Sequence, residues 1–409
     1  MEIRTCTSSE ELRDAVGVIV HYFGREKPDE EWTDRWLKVF ELERMHAAVE
    51  DDGSIVGGAG AVGFRMTVPG GVQLPTAGVT VVGVLPTHRR RGVLRSMMRA
   101  QLDDVHERGE PLAALWASEE TIYGRYGYGL ASLNVQLDID KSFAAFRPGV
   151  DTVGRVRLVD FDTAAQQLPP VYDAVQQVTP GMYERSEAWW RNRQLVDPEN
   201  FRFGGGPKQI AVLDVEGEPQ AYAIYRLHVG FGDLGPETKL RTIEVIAATP
   251  AATASIWRYL LDVDWTKSVS AGLQPVDHPL LLLLARPNLA KPTISDGLWV
   301  RLVDVEAALS GRGYQGEGSV EGSVVLDVRD GFCPWNESRW RLAGGVAVRT
   351  SDDADIALDV SDLGSVYLGG FTFRDLQRAG RLDELTEGAV YLADAIFRTE
   401  GLPWCPEIF

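Results

Sequence analysis

The residues of this sequence that could do chemistry are concentrated in a basic loop and in a tyrosine-rich turn that follows it. Residues 82–95 read Val-Gly-Val-Leu-Pro-Thr-His-Arg-Arg-Arg-Gly-Val-Leu-Arg. A strand that runs through a glycine-containing loop into a helix turns several backbone N–H groups toward one point, at the positive end of the helix dipole. Gly92 lets the backbone approach an anion closely, and Arg89, Arg90 and Arg91 add charge-assisted hydrogen bonds. We therefore predict a pyrophosphate-binding cradle.

Two better-known phosphate motifs do not fit this loop. It lacks the Gly-Lys-Ser/Thr of a P-loop and the Gly-x-Gly-x-x-Gly of a dinucleotide-binding turn. The structural alternative for the loop is a solvated basic helix start. The turn at residues 122–128 reads Ile-Tyr-Gly-Arg-Tyr-Gly-Tyr, and its alternative is a group of packed aromatic side chains.

The elements that must position these residues alternate between strand and helix over the first 140 residues. The predicted strands cover residues 45–49, 55–68, a third run that ends near Leu85, and 112–117, and the predicted helices cover residues 9–43 and 92–107. In the first of these helices, Trp32, Trp36 and Phe40 are four residues apart and share one face.

The rest of the chain divides into two further parts. Residues 151–290 repeat the same order of elements weakly, which indicates a second copy of the same unit. The loop of this copy, residues 247–253, has neither a glycine nor a basic residue, so we expect one anion-binding site per chain, in the first domain. The last 110 residues place strands before helices, which favours an α+β domain.

Composition and charge limit the partners. A chain of 409 residues is long enough for two to four domains, and 41 basic against 59 acidic residues gives a net charge of −18. This balance disfavours nucleic acid and favours a cationic substrate. Cys6, Cys333 and Cys405 are too far apart to predict a disulfide framework or a metal site. The longest apolar run, residues 280–285, is too short for a membrane span, and the first residues lack a signal-peptide pattern, so we expect a cytoplasmic protein.

The basic loop resembles the coenzyme A loop of the GNAT N-acetyltransferases, whose pattern is Arg/Gln-x-x-Gly-x-Gly/Ala. Arg89 and Gly92 match this pattern, whereas Leu94 stands where the family has a small residue. The tyrosine-rich turn resembles the Tyr-x-x-x-Gly-aromatic stretch of the same superfamily, with Tyr123 at the matching position. Residues 117–119 (Ala-Ser-Glu), the weak internal repeat and the final Trp-Cys-Pro-Glu-Ile-Phe extend the resemblance to the enhanced intracellular survival (Eis) family of GNAT acetyltransferases.

This resemblance implies an α/β (α+β) architecture of tandem GNAT-like domains, with mixed sheets flanked by helices, and a C-terminal sterol-carrier-like α+β domain. Residues 1–145 would form the catalytic GNAT domain and residues 146–292 a degenerate GNAT-like domain. Residues 293–409 would form the sterol-carrier-like domain, which supplies the terminal carboxylate. The resemblance also implies a homohexamer that acetylates amines, including those of aminoglycosides, with acetyl-CoA and without a metal.

The resemblance assigns roles to particular residues. In the superfamily the tyrosine stands near the sulfur of the cofactor, so Tyr123 is the candidate general acid. A phenol with a pKa near 10 can protonate a leaving thiolate whose conjugate acid has a pKa near 8.5. In the Eis family the base is the terminal carboxylate, which maps here to Phe409. The alternative for Phe409 is a hydrophobic residue that only holds the tail on the domain surface.

The cofactor contacts follow from the same resemblance, whereas the substrate contacts follow from the chemistry of a cation and from rough position. The predicted cofactor-binding residues are Val82, Gly83, Val84, Arg89, Arg90, Arg91, Gly92, Val93, Leu94 and Ser118. Backbone N–H groups of residues 82–84 are the expected donors to the thioester oxyanion, because adjacent strands splay there in the superfamily. A polycationic substrate requires carboxylates and aromatic faces, and the predicted substrate-binding residues are Asp29, Glu30, Trp36 and Glu407.

Three alternatives stay open at this point. The same machinery could acetylate protein lysines or polyamines instead of antibiotics. The sterol-carrier-like domain could make the chain a lipid- or ligand-binding protein, with the GNAT domains as a scaffold. The departure at Leu94 leaves room for a pseudo-enzyme.

Overall fold

The computed structural model describes residues 1–233, 235–314 and 322–409. Backbone contacts group these residues into two compact units. The first unit comprises Met1–Ser132, Leu298–Pro403 and Ile408–Phe409, and the second comprises Leu133–Gly297 and Trp404–Glu407. No helix among the described residues is both long enough and apolar enough to cross a bilayer.

The N-terminal part of the first unit contains six strands and four helices. They are β1 (Glu2–Thr5), α1 (Ser9–Tyr22), α2 (Glu30–Trp36), β2 (Met45–Val49), β3 (Ile55–Val68), β4 (Val72–Val84), α3 (Val93–Glu107), β5 (Leu112–Trp116), α4 (Glu120–Tyr123) and β6 (Gly129–Leu130).

The second unit follows along the chain. Its elements are β7 (Leu133–Asp140), β8 (Arg155–Leu158), α5 (Phe161–Gln176), α6 (Glu187–Trp189), β9 (Gln209–Val215), β10 (Glu218–His228), β11 (Phe231–Gly232), β12 (Gly235–Pro236), β13 (Thr238–Ala247), α7 (Pro250–Asp262), β14 (Thr266–Pro275), α8 (Leu280–Leu283) and β15 (Thr293–Asp296).

The chain then returns to the first unit. The remaining elements are β16 (Leu298–Leu302), α9 (Val305–Gly311), β17 (Ser323–Arg329), β18 (Ser338–Ala343), β19 (Val346–Arg349), β20 (Ile356–Asp359), α10 (Val360–Tyr367), α11 (Phe373–Arg378), β21 (Leu382–Glu384) and α12 (Ala389–Phe397).

The first sheet has the strand order β1-β2-β3-β4-β5-β16-β6. Only β4 and β5 are parallel, and α3 makes the crossover connection that a parallel pair requires. Helix α1 begins after Ser8, whose side chain accepts a hydrogen bond from the Glu11 N–H. Helix α3 buries Met97, Met98 and Leu102 on one stripe, as the sequence periodicity predicts.

The second sheet repeats this arrangement. Its order is β15-β7-β14-β13-β10-β9-β8, with β13 and β14 as the parallel pair and α7 as the crossover. A third sheet of five strands, β19-β18-β17-β20-β21, lies in the C-terminal part of the first unit. The predicted order of domains is therefore visible in the sheets, including the internal repeat.

The two large sheets exchange a strand. β7 directly follows β6 in the chain but pairs with β14 and β15 in the second sheet. β16 directly follows β15 but lies between β5 and β6 in the first sheet. The predicted domain boundaries, after residues 145 and 292, do not anticipate this exchange. They leave β7 with the first domain and β15 with the last, whereas both strands belong to the second sheet.

The predicted elements differ from the structure in a few places. The helical region expected over residues 9–43 is two helices, α1 and α2, and residues 24–29 between them are not helical. The helix expected over 162–200 ends at Gln176 in α5, and helical structure returns in α6 and in the π-helical turn Trp190–Gln194 that follows it. Strands β1, β7 and β14 and helix α12 were not predicted. In β14 the residues are mostly small or polar, so the β-branched signal of a strand is weak there.

Candidate active site

The candidate residues lie around a gap between the parallel strands β4 and β5. The two strands pair only at residues 76–78, opposite residues 112–114. Beyond these pairs, β4 continues to Val84 and β5 to Trp116 without pairing to each other. Backbone groups of β4 beyond Gly78 therefore have no partner on β5, and the Val84 carbonyl instead accepts a hydrogen bond from the Tyr22 hydroxyl. The resemblance to GNAT enzymes leads to the expectation of such a splay at this point.

A β-bulge lies on β4 beside the gap. The register between β3 and β4 shifts between the pairs Gly60–Thr80 and Gly58–Gly83. Within this shift, Val81 has a φ of 49°, a left-handed conformation that costs a β-branched residue about 1–2 kcal/mol. Because a bulge redirects the backbone groups next to it, it places the predicted oxyanion donors on an irregular segment of the strand.

The loop after β4 leads to a helix start without a side-chain cap. Arg90 and Gly92 have φ values of 62° and 81°. Gly92 is the N-cap of α3 and has no side chain, so the first N–H groups of the helix, including those of Val93 and Leu94, lack a side-chain partner. A helix start of this kind is suited to an anion. The local conformation therefore fits the predicted pyrophosphate cradle.

The three arginines of the loop differ in their partners. The Arg91 Nη2 atom lies 2.8 Å from Glu50 Oε1, and His88 Nε2 lies 3.4 Å from the same oxygen. Among the described residues, Arg89 and Arg90 have neither an ion pair nor a hydrogen-bond partner, and both are exposed. Glu50 therefore orients Arg91, whereas the other two guanidinium groups remain available to an anion.

The helices that cover β3 lie on opposite faces of the sheet. A Cβ atom at Gly57 would meet Met97 of α3, whereas one at Gly58 would meet Ala15 of α1. Adjacent residues of a strand point to opposite faces, and residues two apart share a face. Gly60 therefore faces the same side as α1.

Tyr123 lies on the α3 face. It is 7% exposed and belongs to one apolar cluster with Val79 of β4, Met98 of α3 and, at its partly buried edge, Val82 and Leu94. Burial raises the pKa of Tyr123 to about 12, so the phenol is protonated at neutral pH. Among the described residues its hydroxyl has no hydrogen-bond partner, which leaves it available to a ligand.

The two other tyrosines of the turn are packed aromatic residues. The Tyr126 ring meets Phe332 edge to face, with 5.0 Å between centroids, and Tyr128 has no solvent exposure. Both occupy the same cluster as Tyr123.

Phe409 lies on the α1 face of β4. Thr80 pairs with Gly60, so its side chain points to that face, and its hydroxyl donates to the backbone oxygen of Phe409 at 2.9 Å. The Phe409 ring is 7% exposed and packs edge to face on Phe64, with 5.2 Å between centroids. A Cβ atom at Gly78 would collide with Phe64 and would lie 3.1 Å from the Phe409 ring. The two candidate catalytic groups thus approach β4 from opposite faces, next to the gap.

A stack of three aromatic rings lies on the same face as Phe409. The centroids of Trp32 and Trp36 are 5.4 Å apart, and those of Trp36 and Phe40 are 5.5 Å apart. The Phe40 ring would contact a Cβ atom at Gly60. Trp36 is only 6% exposed, so the accessible ring of the stack is the partly buried Trp32.

Three of the predicted polar residues lie at the surface of the first unit. Asp29 is exposed and caps α2, where one carboxylate oxygen accepts the Trp32 N–H at 2.7 Å. Glu30 is exposed in the first turn of the same helix. Ser118 is exposed between β5 and α4, on the side of the gap opposite to the loop after β4.

Glu407 differs from its predicted role. It was expected to face a substrate, but it is buried in the second unit, at 7% exposure. Its carboxylate accepts hydrogen bonds from Arg185 Nε, at 2.8 Å, and from the Trp189 indole. A carboxylate with these partners does not present itself to a soluble cation, because desolvation and its ion pair hold it in place.

The helix start of the second unit that corresponds to the start of α3 is capped by a side chain. Only residues 248 and 249 separate β13 from α7, and Thr249 caps the helix by accepting the Ala252 N–H. The equivalent helix start is therefore already satisfied by a side chain. This supports the expectation of one cofactor site per chain.

Sequence reasoning missed several residues of the site. Thr80 is one of a β-branched run and reads as an ordinary strand residue, although it orients Phe409. The sequence does not indicate that Gly78 belongs to the site, because the reason is the packing of the Phe64 and Phe409 rings over it. Glu50 is far from the basic loop along the chain, and only the pairing of β2 with β3 and of β3 with β4 brings it near Arg91.

Comparison with known proteins bears out the domain order. Two family models with the description "Acetyltransferase (GNAT) domain" match residues 2–131 and 181–302. A model described as "Sterol carrier protein domain" matches residues 305–406. These matches confirm the predicted fold class of tandem GNAT domains followed by a sterol-carrier-like domain.

Alignments with N-acetyltransferases of other bacteria cover most of the chain. An uncharacterized N-acetyltransferase of Streptomyces avermitilis is 42% identical over 96% of this chain and 95% of its own length. The N-acetyltransferase Eis of Mycobacterium bovis is 37% identical over 85% of this chain and 84% of its own length. The crystal structure of Eis1 from Mycobacterium abscessus superposes with a TM-score of 0.84, at 32% identity, and each chain is covered completely.

Proposed function

The chain belongs to the Eis family of GNAT N-acetyltransferases, and on this premise we propose that it transfers the acetyl group of acetyl-CoA directly to amines of cationic substrates. It is an acyltransferase. We further propose which molecule donates the acyl group, which amines accept it and which residues catalyse the transfer. The acceptors would be aminoglycoside-like amines, lysine side chains or polyamines. One site per chain, in the first unit, would carry the reaction.

The observation that supports this proposal most strongly is the position of the two catalytic candidates about the strand gap. Tyr123 shares a cluster with Val79 and Val82 on the α3 face of β4. The backbone oxygen of Phe409 is hydrogen-bonded to Thr80 on the α1 face. A thioester placed in the gap would have a proton donor on one side, for the leaving sulfur, and a carboxylate on the other, for the incoming amine.

The donor would be held mainly by the loop after β4. Its pyrophosphate would accept hydrogen bonds from the N–H groups of Gly92, Val93 and Leu94, and ion pairs from Arg89, Arg90 and Arg91. The pantetheine arm would enter the gap past Ser118. The backbone N–H groups of Val82, Gly83 and Val84 would stabilise the oxyanion.

The reaction forms one C–N bond and breaks one C–S bond. The free amine attacks the thioester carbonyl carbon, and the electron pair of the C–S bond leaves with the sulfur. Tyr123 donates its proton to this thiolate, and the Phe409 carboxylate takes a proton from the amine. For an amine with a pKa near 10.4, deprotonation at pH 7 costs about 4.6 kcal/mol, which explains the need for a base at this point.

The acceptor would approach on the Phe409 face. There the Trp32 ring offers a cation–π surface, and Asp29 and Glu30 offer carboxylates at the start of α2. Trp36 would act mainly by supporting the Trp32 ring. The net charge of −18 would raise the local concentration of a polycation.

The family resemblance further supports a cytoplasmic homohexamer. Sedimentation velocity on the purified chain measures the assembly. A monomer or dimer at micromolar concentration would contradict it.

An acetyl-transfer assay tests the proposed function. Purified protein is mixed with acetyl-CoA and a panel of aminoglycosides, polyamines and lysine peptides, and thiol release is followed with a colorimetric reagent. A variant extended by a few residues beyond Phe409 is run beside it, with acetyl-CoA binding measured by calorimetry as the control for folding. We expect turnover by the parent chain and a loss of turnover, with binding retained, in the extended variant.

Equal turnover by the parent and extended chains would contradict the role of Phe409. No turnover with any amine, together with tight binding of a fatty acid or sterol, would favour the alternative of a lipid-binding protein with a GNAT scaffold.

A further inference from the structure

The second unit contains a strand gap like that of the first. β13 and β14 pair in parallel as far as Thr242 opposite Ala271. β13 then continues to Ala247 and β14 to Pro275 without pairing to each other. The start of α7, at the end of β13, is capped by Thr249, whereas the start of α3 has no side-chain cap.

Residues from the end of the chain lie at this second gap. The Trp404 indole N–H donates to the Leu273 carbonyl on β14 at 2.6 Å, and its backbone N–H donates to the Pro180 carbonyl at 2.8 Å. The Trp404 side chain belongs to an apolar cluster with Tyr222 of β10 and Ile246 of β13. Leu273 and Ile246 both lie beyond the last pair between the two strands, so Trp404 is hydrogen-bonded to one side of the gap and shares an apolar cluster with the other.

Glu407 is held at the same gap by a buried arginine. Arg185 Nε donates to Glu407 Oε2 at 2.8 Å, and its terminal nitrogens donate to both carboxylate oxygens of Glu244, at 3.0 and 2.6 Å. Glu244 lies on β13, also beyond Thr242. The Arg185 side chain has no solvent exposure. One guanidinium thus joins β13 to the end of the chain.

The surroundings of Arg185 are suited to hold this ion pair. The guanidinium lies 3.9 Å from the centroid of the Tyr172 ring and 4.8 Å from that of Trp190. The Tyr222 hydroxyl donates to Glu244 at 2.7 Å. A buried charge pair is strong only when its remaining donors and acceptors are satisfied, and these contacts meet that condition.

We propose that the gap of the degenerate second domain is a docking site for the end of the same chain, and that Arg185 acts through Glu407 as a positioning residue for the Phe409 carboxylate. Only Ile408 separates Glu407 from Phe409, and two residues of extended chain span at most about 7 Å. Fixing Glu407 therefore limits how far Phe409 can move to the reach of these two residues. The positioning role rests on the proposed function of Phe409 as the base.

The substitution Glu407→Gln tests this proposal in the full-length protein. Glutamine keeps the size and an acceptor oxygen but removes the charge, and Arg185 retains its ion pair with Glu244. Release of Phe409 by a carboxypeptidase, followed by mass spectrometry, measures how firmly the tail is docked. Turnover with acetyl-CoA and the best amine of the panel measures positioning.

We expect the Glu407→Gln variant to release Phe409 about tenfold faster, because docked ends resist proteolysis and undocked ends do not. We also expect kcat to fall by about tenfold or more, since small displacements of a catalytic group are costly. The KM for acetyl-CoA should be unchanged, because the predicted cofactor contacts are on other elements. Arg185→Lys, which keeps the charge but loses the fork of donors, should give the same pattern.

Glu237→Gln is the matched control. It removes a carboxylate from the same unit, in an exposed ion pair with Lys267 at 2.6 Å, and should change neither measurement. Unchanged release of Phe409 from the Glu407→Gln and Arg185→Lys variants would overturn the docking site, whatever their turnover. Faster release with full kcat would overturn the positioning role. A kcat that falls only in proportion to the unfolded fraction would do the same.

Discussion

Tyr123 carries the most direct residue-level prediction. Its substitution by phenylalanine should lower kcat by about a hundredfold, the usual worth of a positioned proton donor, with little change in the KM for acetyl-CoA. Because burial raises its pKa to about 12, Tyr123 keeps its proton as the pH rises through the neutral range. The rate should therefore show no decline due to this group until the pH approaches that value.

The control for this experiment is Tyr126→Phe, which removes a hydroxyl from the same cluster. The kcat of each variant is measured by steady-state kinetics from pH 6 to 10. A free tyrosine would begin to lose its proton at the upper end of this pH range. Equal kcat values for Tyr123→Phe and Tyr126→Phe would remove Tyr123 from the mechanism.

Gly92 carries a second prediction at this scale. Alanine at Gly92 would meet no atom within 4 Å, but the backbone has a φ of 81°, so the cost is conformational, about 1–2 kcal/mol. Relaxation toward negative φ would turn the first N–H groups of α3 away from the pyrophosphate. The KM for acetyl-CoA should rise severalfold.

Gly109 offers a matched control at the other end of α3. It has a φ of 70° and equally open surroundings, so Gly109→Ala should lose similar stability without a change in KM. Calorimetric binding of acetyl-CoA and thermal unfolding of both variants check the pair. Equal effects on KM would show that Gly92 is only a structural glycine.

His278 predicts a pH dependence of stability. It is buried, its Nδ1 accepts the Leu280 N–H at 2.9 Å, and burial lowers its pKa to about 4. The unfolded chain, with a histidine pKa near 6.5, binds a proton more readily, so stability is present above that value and is lost as the pH falls toward 4. Between pH 7 and 5 the loss should be about 2 kcal/mol.

Urea unfolding of the parent chain and of His278→Asn measures this contribution. Asparagine can accept the same backbone N–H but does not titrate in this range. The parent should lose about 2 kcal/mol more than the variant between pH 7 and 5. Parallel losses in both chains would contradict the assignment.

At the scale of elements, strand β4 combines the features on which the site depends. Gly78 ends the pairing with β5 and makes room for two aromatic rings, and Thr80 donates a hydrogen bond to the backbone oxygen of Phe409. Gly78→Ala should displace Phe64 and Phe409, because its Cβ would collide with the first ring and press on the second. We expect kcat to fall by about tenfold while acetyl-CoA still binds.

Gly331 is a suitable control, since it is exposed and an added Cβ would contact nothing within 4 Å. Its substitution by alanine should leave kcat unchanged. A Gly78→Ala variant with full kcat would show that the Phe409 ring can move without effect on the reaction.

The sequence predicts the elements of the site better than their contacts. The prediction of strands at 45–49 and 55–68 is correct, because the turns at residues 51–53 and 68–71 mark where these strands end. The start of α3 was predicted within one residue from its apolar stripe. The bulge at Val81 and the packing of Phe409 over Gly78 depend on register and on distant rings, which local periodicity does not encode.

The same limit explains the correction at Glu407. Its distance from Phe409 along the chain placed it near the predicted base, so it was assigned to the substrate. The partner that determines its role, Arg185, lies 222 residues away along the chain and carries no pattern that points to the tail.

At the scale of the whole molecule, the exchanged strands predict that the first domain does not fold alone. A fragment of residues 1–145 would lack β16, leaving the buried strand β5 as an open edge and β6 without its neighbour. An open edge of this kind promotes association. We expect the fragment to aggregate or to unfold without cooperativity, in contrast to the full chain.

Size-exclusion chromatography and circular dichroism melting of the fragment and the full chain check this expectation. A monomeric fragment with a cooperative transition would contradict it. The internal repeat itself was predicted from element order, but the exchange was not, since a strand pattern does not specify which partner it joins.

The exchange also sets an order of events during synthesis. β6 ends at Leu130, and its partner β16 begins at Leu298, so about 170 residues must leave the ribosome before the catalytic sheet can close. At 5–20 residues per second this interval is on the order of ten seconds or longer. During that time the nascent chain carries an unfinished sheet edge in the cell, and a chaperone that shields the segment around Leu112–Trp116 would raise the yield of active enzyme.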